Sequence, residues 1–567
     1  MNHESRQCQN CKSEFVIDAS DFKFYEKIKV PPPTWCPECQ MIRRLSFRNE
    51  RALYRRKDSL EGKEIISMYS EDKNLTVYPH EYWQSDKWDA MDYGRDYDFS
   101  RPFFEQFSQL VNKVPWPSLF NWNNVNSDYC NMTTDNKNCY LVFGGDFNED
   151  CAHSTFNFHS KNVYDVYWVN KCELCYEDID TDRSYKVFFG QYVRDTTDSA
   201  FIYNGVNLNN CIGCVNLRNK SYSIFNEQLS KEVYFKKKEE FDFGSYSKLE
   251  NFKRKFSEFK LKFPHRYADI VKSPGSSGNN IHNMNICINC FDVFGDGENC
   301  KNIYLAGWGL KDSRNSNHLG HSSELVYDSY GIFSNVSRVK FSMITSSSHD
   351  IVYSYNVRGS NNLFGCVGLK SKSYCILNKQ YSKKDYENLL KKIIKHMNDM
   401  PYIDKQGEKY GYGDFFPAEL SLFAYNESYA QEYFPLTKDQ ALEQGYSWKD
   451  PEPRNYQIQI PNDQLPDHIK DVKDDIVGQV IECAHAVRSP STGSTTSTSS
   501  GQASSPQASS GQTGAVCNEQ CTEAYKIIEL ELQFLRKMNL PLPRLCPNCR
   551  HYQRIKQRNP LKLWHRR

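Results

Sequence analysis

The 567-residue chain lacks several features that would assign it to a familiar class. It has no run of about 18 apolar residues, which a membrane-spanning helix needs. Its first residues, MNHESRQCQNC, contain no apolar stretch of the kind found in signal peptides. It also has no Walker loop and no grouping of Ser, His and Asp that would predict a catalytic triad. We therefore expect a cytoplasmic, non-enzymatic protein without a membrane segment.

The chain also lacks net charge. It carries 71 basic and 70 acidic residues, so that any binding driven by charge must come from local clusters. Its mean hydropathy of -0.72 describes a polar protein, although 14% of its residues are aromatic.

Cysteine, in contrast, is plentiful, with 21 residues and no export signal, which favours metal ligation over a disulfide framework. Two pairs near the N-terminus are separated by 24 residues, and two pairs near the C-terminus repeat that spacing. The eight residues are Cys8, Cys11, Cys36, Cys39, Cys517, Cys521, Cys546 and Cys549. A shift of 510 positions aligns the two ends, and places Phe24 on Phe534 and Arg44 on Arg554.

Two thiolate pairs on tight turns are typical of a structural zinc site, and zinc supplies the folding free energy that so small a module lacks. We therefore predict two Zn²⁺ ions per chain. The second site begins with a C-x3-C pair instead of C-x2-C. This departure leaves its first ligand open, with Cys483 as a rival to Cys517.

The N-terminal cysteine pairs, with Phe15, Phe24-Tyr25 and the prolines 31–33, resemble the probable zinc-ribbon (treble-clef-like) domain family. The tail FLRKMNLPLPRLCPNCRHYQRIKQRNPLKLWHRR is similar to zinc-ribbon-tailed proteins of small-genome uncultured bacteria. The resemblance implies metal ligands at the eight cysteines and implies no activity. Because those relatives continue beyond the last arginines, it also implies that part of the protein can follow Arg567.

Basic and aromatic residues follow the last cysteine pair at each end, here called the knuckle (Cys36/Cys39 and Cys546/Cys549). Guanidinium groups suit the recognition of phosphates, and aromatic faces can stack on bases. The sequence thus predicts that one or both ends bind nucleic acid, such as ribosomal or other structured RNA. The predicted contact residues are Arg44, Arg48, Arg55, Arg56, Arg554, Lys556, Arg558, Lys562, Trp564 and Arg566. A protein partner is the alternative, with the oligomeric state open.

The middle of the chain is duplicated at a shift of 152, which aligns residues 209–234 with 361–386. Short alternating runs recur there every 22–25 residues between Asn, Asp, Gly and Ser, as in a solenoid. We predict a mainly β protein: a duplicated, right-handed parallel β-helix-like solenoid with helical inserts, flanked by two small zinc-ribbon or treble-clef modules. A β-sandwich or two packed antiparallel domains is the alternative.

The predicted domains follow these patterns. They are a zinc module (1–57), a helical or irregular connector (58–115), a first β-rich half (116–229), a helical insert (230–272), a second β-rich half (273–381), a helical segment (382–436), a connector (437–488), a flexible Ser/Thr/Gly linker (489–515) and a C-terminal zinc module with a basic tail (516–567). The linker is expected to tether a mobile tail module.

Two further groups of residues need an interpretation. The central pairs Cys172/Cys175, Cys211/Cys214 and Cys287/Cys290 are predicted to be core residues, because Cys211 corresponds to Leu363 in the second copy.

The acidic run YEDIDTD offers Glu177, Asp178, Asp180 and Asp182 near Trp168 as paired carboxylates, so a carbohydrate-active enzyme is a third function. A solvated acidic turn is the simpler explanation.

Overall fold

The computed structural model describes residues 3–452, 456–486 and 520–564. Two compact units divide the chain. The first unit comprises Met1–Asn121, His265–Pro451 and Asn559–Arg567, and the second comprises Trp122–Pro264 and Glu452–Arg558. Each unit contains one half of a β-solenoid and one four-cysteine cluster, which confirms the predicted fold class.

Parallel strands stacked coil on coil form each solenoid half. In the second unit they are Thr133–Thr134, Tyr140–Phe143, Ala152–Phe158, Tyr167–Asn170, Ile179–Asp182, Tyr185–Phe188, Gln191–Arg194, Thr197–Val215 and Arg218–Ile224. In the first unit they are Ile270–Val271, Gly278–Ile288, Cys290–Ala306, Arg314–Leu319, Ser323–Tyr327, Tyr330–Ile332, Val336–Lys340, Met343–Ser346, His349–Val352, Tyr355–Arg358, Asn361–Phe364 and Ser373–Ile376.

The coils are about half as long as the sequence pattern predicts. Tyr140 pairs with Ala152 in the next coil, and in the first unit Lys301 pairs with Arg314. The predicted recurrence is therefore wrong as a coil length, because it spans two coils. The alternation of apolar and polar residues identified the strands. An alternation with a period of two residues does not indicate, however, where the chain turns from one strand to the next.

The turns come from left-handed residues. From Asn123 to Phe225 every third residue has φ between +46° and +69°. About half of these positions carry Asn, Asp or Gly, the residues that adopt this conformation most easily. The chain thus divides into triplets of residues that each end with a left-handed residue. Each triplet forms one side of a coil, the chain turns at its end, and four triplets complete one coil.

The core receives one side chain from each triplet, the residue directly after the left-handed one. In the second unit these inward residues are small, and the apolar ones are Cys130, Cys139, Val142, Cys151, Val163, Val166, Val169, Cys172, Cys175, Val187, Val193, Ile202, Leu208, Cys211 and Cys214. Cys287 and Cys290 of the first unit are fully buried as well. The prediction that the central cysteines are core residues is confirmed.

Inward hydroxyls satisfy the backbone between coils. The amide of Ser354 donates to Ser342 Oγ at 3.1 Å, and the amide of Cys366 donates to Ser354 Oγ at 3.1 Å. Ser313, Ser316 and Ser329 continue the same ladder through earlier coils.

The duplication is clearest where each solenoid half ends. Asn226 and Asn378 are both left-handed, and their side-chain amides pair with the backbone of Val215 and Val367, respectively. A short antiparallel strand follows in both halves, Glu227–Gln228 and Lys379–Gln380. These turns close the stack before the helices begin.

Helices and short hairpins complete the units. The α-helices of the first unit are Ala19–Ile28, Pro37–Leu45, His80–Gln84, Phe103–Lys113, Lys383–Asp399, Tyr429–Tyr433 and Lys438–Glu443. Those of the second are Lys231–Lys238, Tyr246–Lys260, Glu529–Met538 and Pro547–Ile555. Short 3-10 helices are Ala90–Tyr93, Ala418–Leu420, Tyr425–Glu427, Asn462–Gln464, Ile469–Asp471 and Asp474–Ile476.

The remaining strands are short. They are Glu4–Gln7, Glu14–Ile17, Tyr54–Lys57, Glu64–Ser67, Val77–Tyr78, Trp116–Pro117, Asn121–Trp122, Tyr402–Ile403, Lys409–Tyr410, Ile481–Glu482 and Ala524–Tyr525. Among the residues that the structure describes, no helix combines the length and apolar character needed to cross a membrane.

The serine ladder gives a first prediction. Ser354→Ala removes the acceptor of a buried amide, and should lower the free energy of unfolding by about 1–3 kcal/mol, because that amide stays unpaired. Urea denaturation of the metal-loaded chain measures it. Ser371→Ala, at an exposed position of the same half, is the control and should change stability by no more than about 0.5 kcal/mol. Equal effects of both changes would contradict the ladder's role.

Candidate metal centres

The N-terminal cluster joins a hairpin to a helix. Cys8 and Cys11 lie in the loop between strands Glu4–Gln7 and Glu14–Ile17, whereas Cys36 precedes the helix Pro37–Leu45 and Cys39 lies in its first turn. All four sulfurs lie within 4.8 Å of one another, with Cys11 and Cys36 at 3.8 Å. The predicted ligand set of this end is confirmed as a possible metal site.

The second cluster contains one ligand that differs from the predicted four. Its members are Cys483, Cys521, Cys546 and Cys549, again with sulfurs within 4.8 Å. Cys517 lies outside the described residues. Cys483, the rival candidate, takes the place in the four-cysteine cluster that was predicted for Cys517.

The two centres are copies of one module. Cys8 N–H donates to Ser13 O at 2.8 Å, and Cys483 N–H donates to Glu523 O at the same distance. Strands Ile481–Glu482 and Ala524–Tyr525 pair antiparallel, like the N-terminal hairpin. Helices Glu529–Met538 and Pro547–Ile555 match Ala19–Ile28 and Pro37–Leu45 at the shift of 510.

The second cluster contains cysteines from both sides of the predicted linker. That linker, 489–515, lies outside the described residues, whereas Cys483 before it and Cys521 after it belong to one cluster. Cys483 lies in the segment 437–488 that was predicted to be a connector, so the residues of this cluster begin before residue 516.

The donor geometry fits a tetrahedral ion such as zinc. A Zn–S bond of about 2.3 Å places ligand sulfurs about 3.8 Å apart, and the sulfur distances of 3.8 and 4.0 Å agree with that. Backbone amides also point at the thiols: Cys36 N–H donates to Cys8 Sγ at 3.2 Å, and Cys546 N–H to Cys483 Sγ at 3.2 Å. Such donors favour the thiolate form that a metal requires.

Buried ion pairs fix the first module to its solenoid half. Arg44 is 1% exposed, forms an ion pair with the equally buried Asp328, and donates to Asn317 Oδ1 at 2.5 Å. On the neighbouring helix, Asp21 pairs with Lys301 at 2.6 Å and with Arg314 at 3.1 Å.

The second module repeats the arrangement at equivalent positions. Arg554, which aligns with Arg44, is fully buried and lies 3.0 Å from Asp165 and 3.5 Å from Glu177. Arg550 also pairs with Asp165 and with Glu531. Burial would raise the pKa of Glu531, but the charges of His153 and Arg550 hold it at about 2. Buried ion pairs thus hold the tail module against the solenoid half of its unit.

Five of the ten residues predicted to contact nucleic acid are engaged inside the protein. Arg44, Arg48, Arg56 and Arg554 are buried, and Arg558 forms a pair with Asp180 at 3.2 Å while its side chain is only 6% exposed. Exposed members of the set are Arg55, Lys556, Lys562 and Trp564, and Arg566 lies outside the described residues. Buried carboxylates and local carbonyls thus engage half of the predicted contact residues, and nucleic-acid binding by the exposed ones stays a prediction.

The acidic run also has internal partners. Glu177 lies 3.5 Å from Arg554, and Asp180 accepts from Arg558. Asp178 points into the core, where Gly190 N–H donates to it at 2.6 Å and burial raises its pKa well above the usual range. These carboxylates therefore do not form the predicted pair.

The sequence contained a signal for these contacts. The shift of 510 aligns Arg44 with Arg554 and Arg48 with Arg558, a match that indicates a shared role but not whether the partner is internal. Comparisons with protein-family models and with curated proteins found no match to this chain. The resemblance to zinc-ribbon proteins therefore stays an expectation.

A second prediction concerns metal content. Purified protein should hold two metal ions per chain by elemental analysis, and Cys8→Ser or Cys546→Ser should each lower that number to one, since three thiolates and a hydroxyl bind far more weakly. Cys375→Ser, in the solenoid core, is the matched control and should retain both ions. Two ions retained in the Cys546→Ser variant would refute the second centre.

The ion pairs give a third prediction. Arg554→Met should lower the free energy of unfolding by about 3–5 kcal/mol, because Asp165 and Glu177 lose a buried cation. Chemical denaturation measures the loss. Lys556→Met, at a nearby exposed position, should cost no more than about 0.5 kcal/mol. If the two variants were equally stable, the anchoring role of Arg554 would be wrong.

Proposed function

We propose that this protein is a zinc-dependent, non-enzymatic scaffold whose solenoid halves bind a protein partner. In this proposal each four-cysteine centre holds one Zn²⁺, which has a structural role. The bound ion would fix the knuckle and its helices, and the helices position the buried arginines that hold the solenoid. Zinc is favoured over other ions because four thiolates in a tetrahedral set match its preferences.

An exposed aromatic stack in each unit carries the proposal. In the second unit Phe147, 52% exposed, stacks on His159 of the next coil, with ring centroids 4.8 Å apart and an interplanar angle of 4°. In the first unit Trp308, 48% exposed, stacks on His321 with 4.8 Å and 8°. Large aromatic side chains held rigidly on a surface are typical anchors of protein interfaces.

The surroundings of these stacks favour protein over nucleic acid. Beside Phe147, charges of opposite sign alternate along the coils: Lys137 and Lys161 both pair with Glu149, at 3.1 and 3.2 Å, and Glu173 lies opposite Lys161 in the next coil. Such a surface has no excess of cations to attract a phosphate backbone. In the first unit Gly295, one coil before Trp308, leaves room for the indole, because a Cβ there would lie 2.8 Å from Cδ1 of that ring.

Nucleic-acid binding is the second candidate. It is supported by the exposed Lys556, Lys562 and Trp564, the last of which is 56% exposed. Arg55 adds an exposed guanidinium, which pairs with the exposed Glu64 at 2.6 Å.

A fourth prediction separates the two candidates. Nuclease-treated lysate of the source organism should yield a partner protein on the immobilised chain, and Phe147→Ala with Trp308→Ala should weaken its affinity at least about tenfold, as loss of interface anchors does. The purified partner allows that affinity to be measured by calorimetry. Tyr267→Ala, which removes an 84% exposed ring outside the stacks, is the control.

The outcome that would favour nucleic-acid binding is a steep dependence of the RNA affinity on salt. A 20-nucleotide single-stranded RNA probe followed by fluorescence anisotropy should show no steep loss of affinity with salt. A slope of log K against log salt of roughly -3.5 or steeper would mean about five neutralised phosphates. That slope, or a partner lost on nuclease treatment, would favour the second candidate and overturn the scaffold.

A further inference from the structure

A straight column of residues runs along one face of the solenoid half in the second unit, with one residue from each of six successive coils. In chain order its members are Val125, Lys137, Glu149, Lys161, Glu173 and Tyr185, and the backbone of each pairs with that of the next. We call these six residues the charged column. Five of them are exposed and Glu149 is half-buried, so this face of the unit meets solvent.

The order of side chains in the charged column is complementary to its own reverse. It starts with an apolar residue, continues with a cation, an anion, a cation and an anion, and ends with an aromatic ring. A second copy whose coils run in the opposite direction would therefore meet it with the opposite charge at all four charged positions. Lys137 of one copy would face Glu173 of the other. Glu149 would face Lys161 in the same way, and the apolar ends would face each other.

The neighbouring column is complementary to its own reverse as well. It consists of the left-handed residues two positions before the members of the charged column, and its central members are Asp135, Phe147, His159 and Lys171. The same reversal places Asp135 opposite Lys171, and Phe147 opposite His159. Because both columns are complementary about one point, between the coils of Phe147 and His159, a single two-fold axis satisfies both of them.

The first unit has a similar column that lacks this property. Its members are Glu298, Lys311, Glu324 and Ser337. Reversal about the stack of Trp308 and His321 places Lys311 opposite Glu324, but it leaves the carboxylate of Glu298 opposite an uncharged serine. The face of the second unit is therefore the better match for its own copy, and the Trp308 stack is left for a different protein.

We propose that two copies of this chain pair face to face through the charged column of the second unit, as an isologous dimer. The two-fold axis runs parallel to the strands and passes between the coils of Glu149 and Lys161. Since successive coils are about 4.8 Å apart, the six positions span only about 24 Å. So short a strip buries less than the roughly 800 Å² per partner of a stable complex, and the dimer should form at micromolar concentrations.

The inference rests on the scaffold function proposed above only in treating the Phe147 stack as part of a protein interface. It identifies the protein that covers this stack as another copy of the chain. The complementary order of charges does not depend on that function. A dimer would also present two Trp308 stacks to another protein, which raises the affinity for a partner that engages both.

Sedimentation velocity of the metal-loaded full chain, between about 1 and 200 µM, should show a change from monomer to dimer. Glu149→Lys and Lys161→Glu should each weaken dimerisation at least about tenfold, because each change places like charges opposite each other twice in the dimer. Glu258→Lys, at an exposed position of the helix Tyr246–Lys260, is the control and should dimerise like the unchanged chain. An unchanged chain that stays monomeric at about 200 µM would overturn the proposal.

A mixture of the two charge variants tests the symmetry of the contact. Glu149→Lys in one copy and Lys161→Glu in the other restore opposite charges at every position of the charged column. The mixture should therefore form a heterodimer with an affinity within about threefold of that of the unchanged chain, although each variant alone dimerises weakly. A heterodimer also shows that both variants fold. A mixture that dimerises as weakly as its components would refute the two-fold contact.

The dimer and the scaffold can fail separately. Trp308→Ala should leave dimerisation unchanged, because this residue lies outside the charged column. A chain that captures a different protein but stays monomeric would refute the dimer and leave the scaffold function intact. A chain that dimerises but captures no other protein would refute the scaffold function and support the dimer.

Discussion

A left-handed residue at every third position is the constraint on which the solenoid half of the second unit depends. It turns the chain after each triplet, and so allows one inward side chain per triplet. A core this narrow accepts Cys, Val, Ser and Thr, whereas large rings must lie outside the coil. This explains how a chain with 14% aromatic residues can have a mean hydropathy of -0.72.

A narrow core leaves the flanks of the coils to be covered by other elements. In the second unit, Tyr164 on the outside of a coil stacks on Phe534 of the metal module, with centroids 4.2 Å apart. Phe201 packs against Phe252 of the helix Tyr246–Lys260 at 4.5 Å. Apolar burial outside the coils therefore adds to the small contribution of their interior. Buried charges then define where the module sits. Arg554 reaches Asp165 and Glu177 on successive coils, and Arg550 also pairs with Asp165, so that a slip of one coil would break this set of ion pairs.

The sequence predicted those parts that depend on local chemistry. Thiolate spacing identified seven of the eight cysteines that cluster, because two pairs on tight turns have few other uses. Exchange of Cys211 for Leu363 between the copies identified the core cysteines. The repeated Asn226 and Asn378 turns lie within the segment that the shift of 152 aligned.

The errors arose where the chemistry fits more than one partner. An arginine beyond a knuckle suits phosphate or carboxylate equally, and only the fold shows that Asp328 and Asp165 lie within reach. In the second unit the short coil was hidden because its marker, a left-handed residue, is carried as often by Phe, Lys or Tyr as by Asn.

In the first unit one nine-residue helix links the N-terminal cysteine cluster to the solenoid. It starts directly after the cluster member Cys36, presents Arg43 to the ring of Trp35, and presents Arg44 to Asp328 of the solenoid. Arg43 also lies 3.6 Å from Asp328, so that two neighbouring arginines share one buried carboxylate. A helix of this length is marginal alone, and its position depends on the cysteine cluster at one end and the ion pairs along its side. A metal ion held by that cluster would therefore stabilise the contact between the module and its solenoid half.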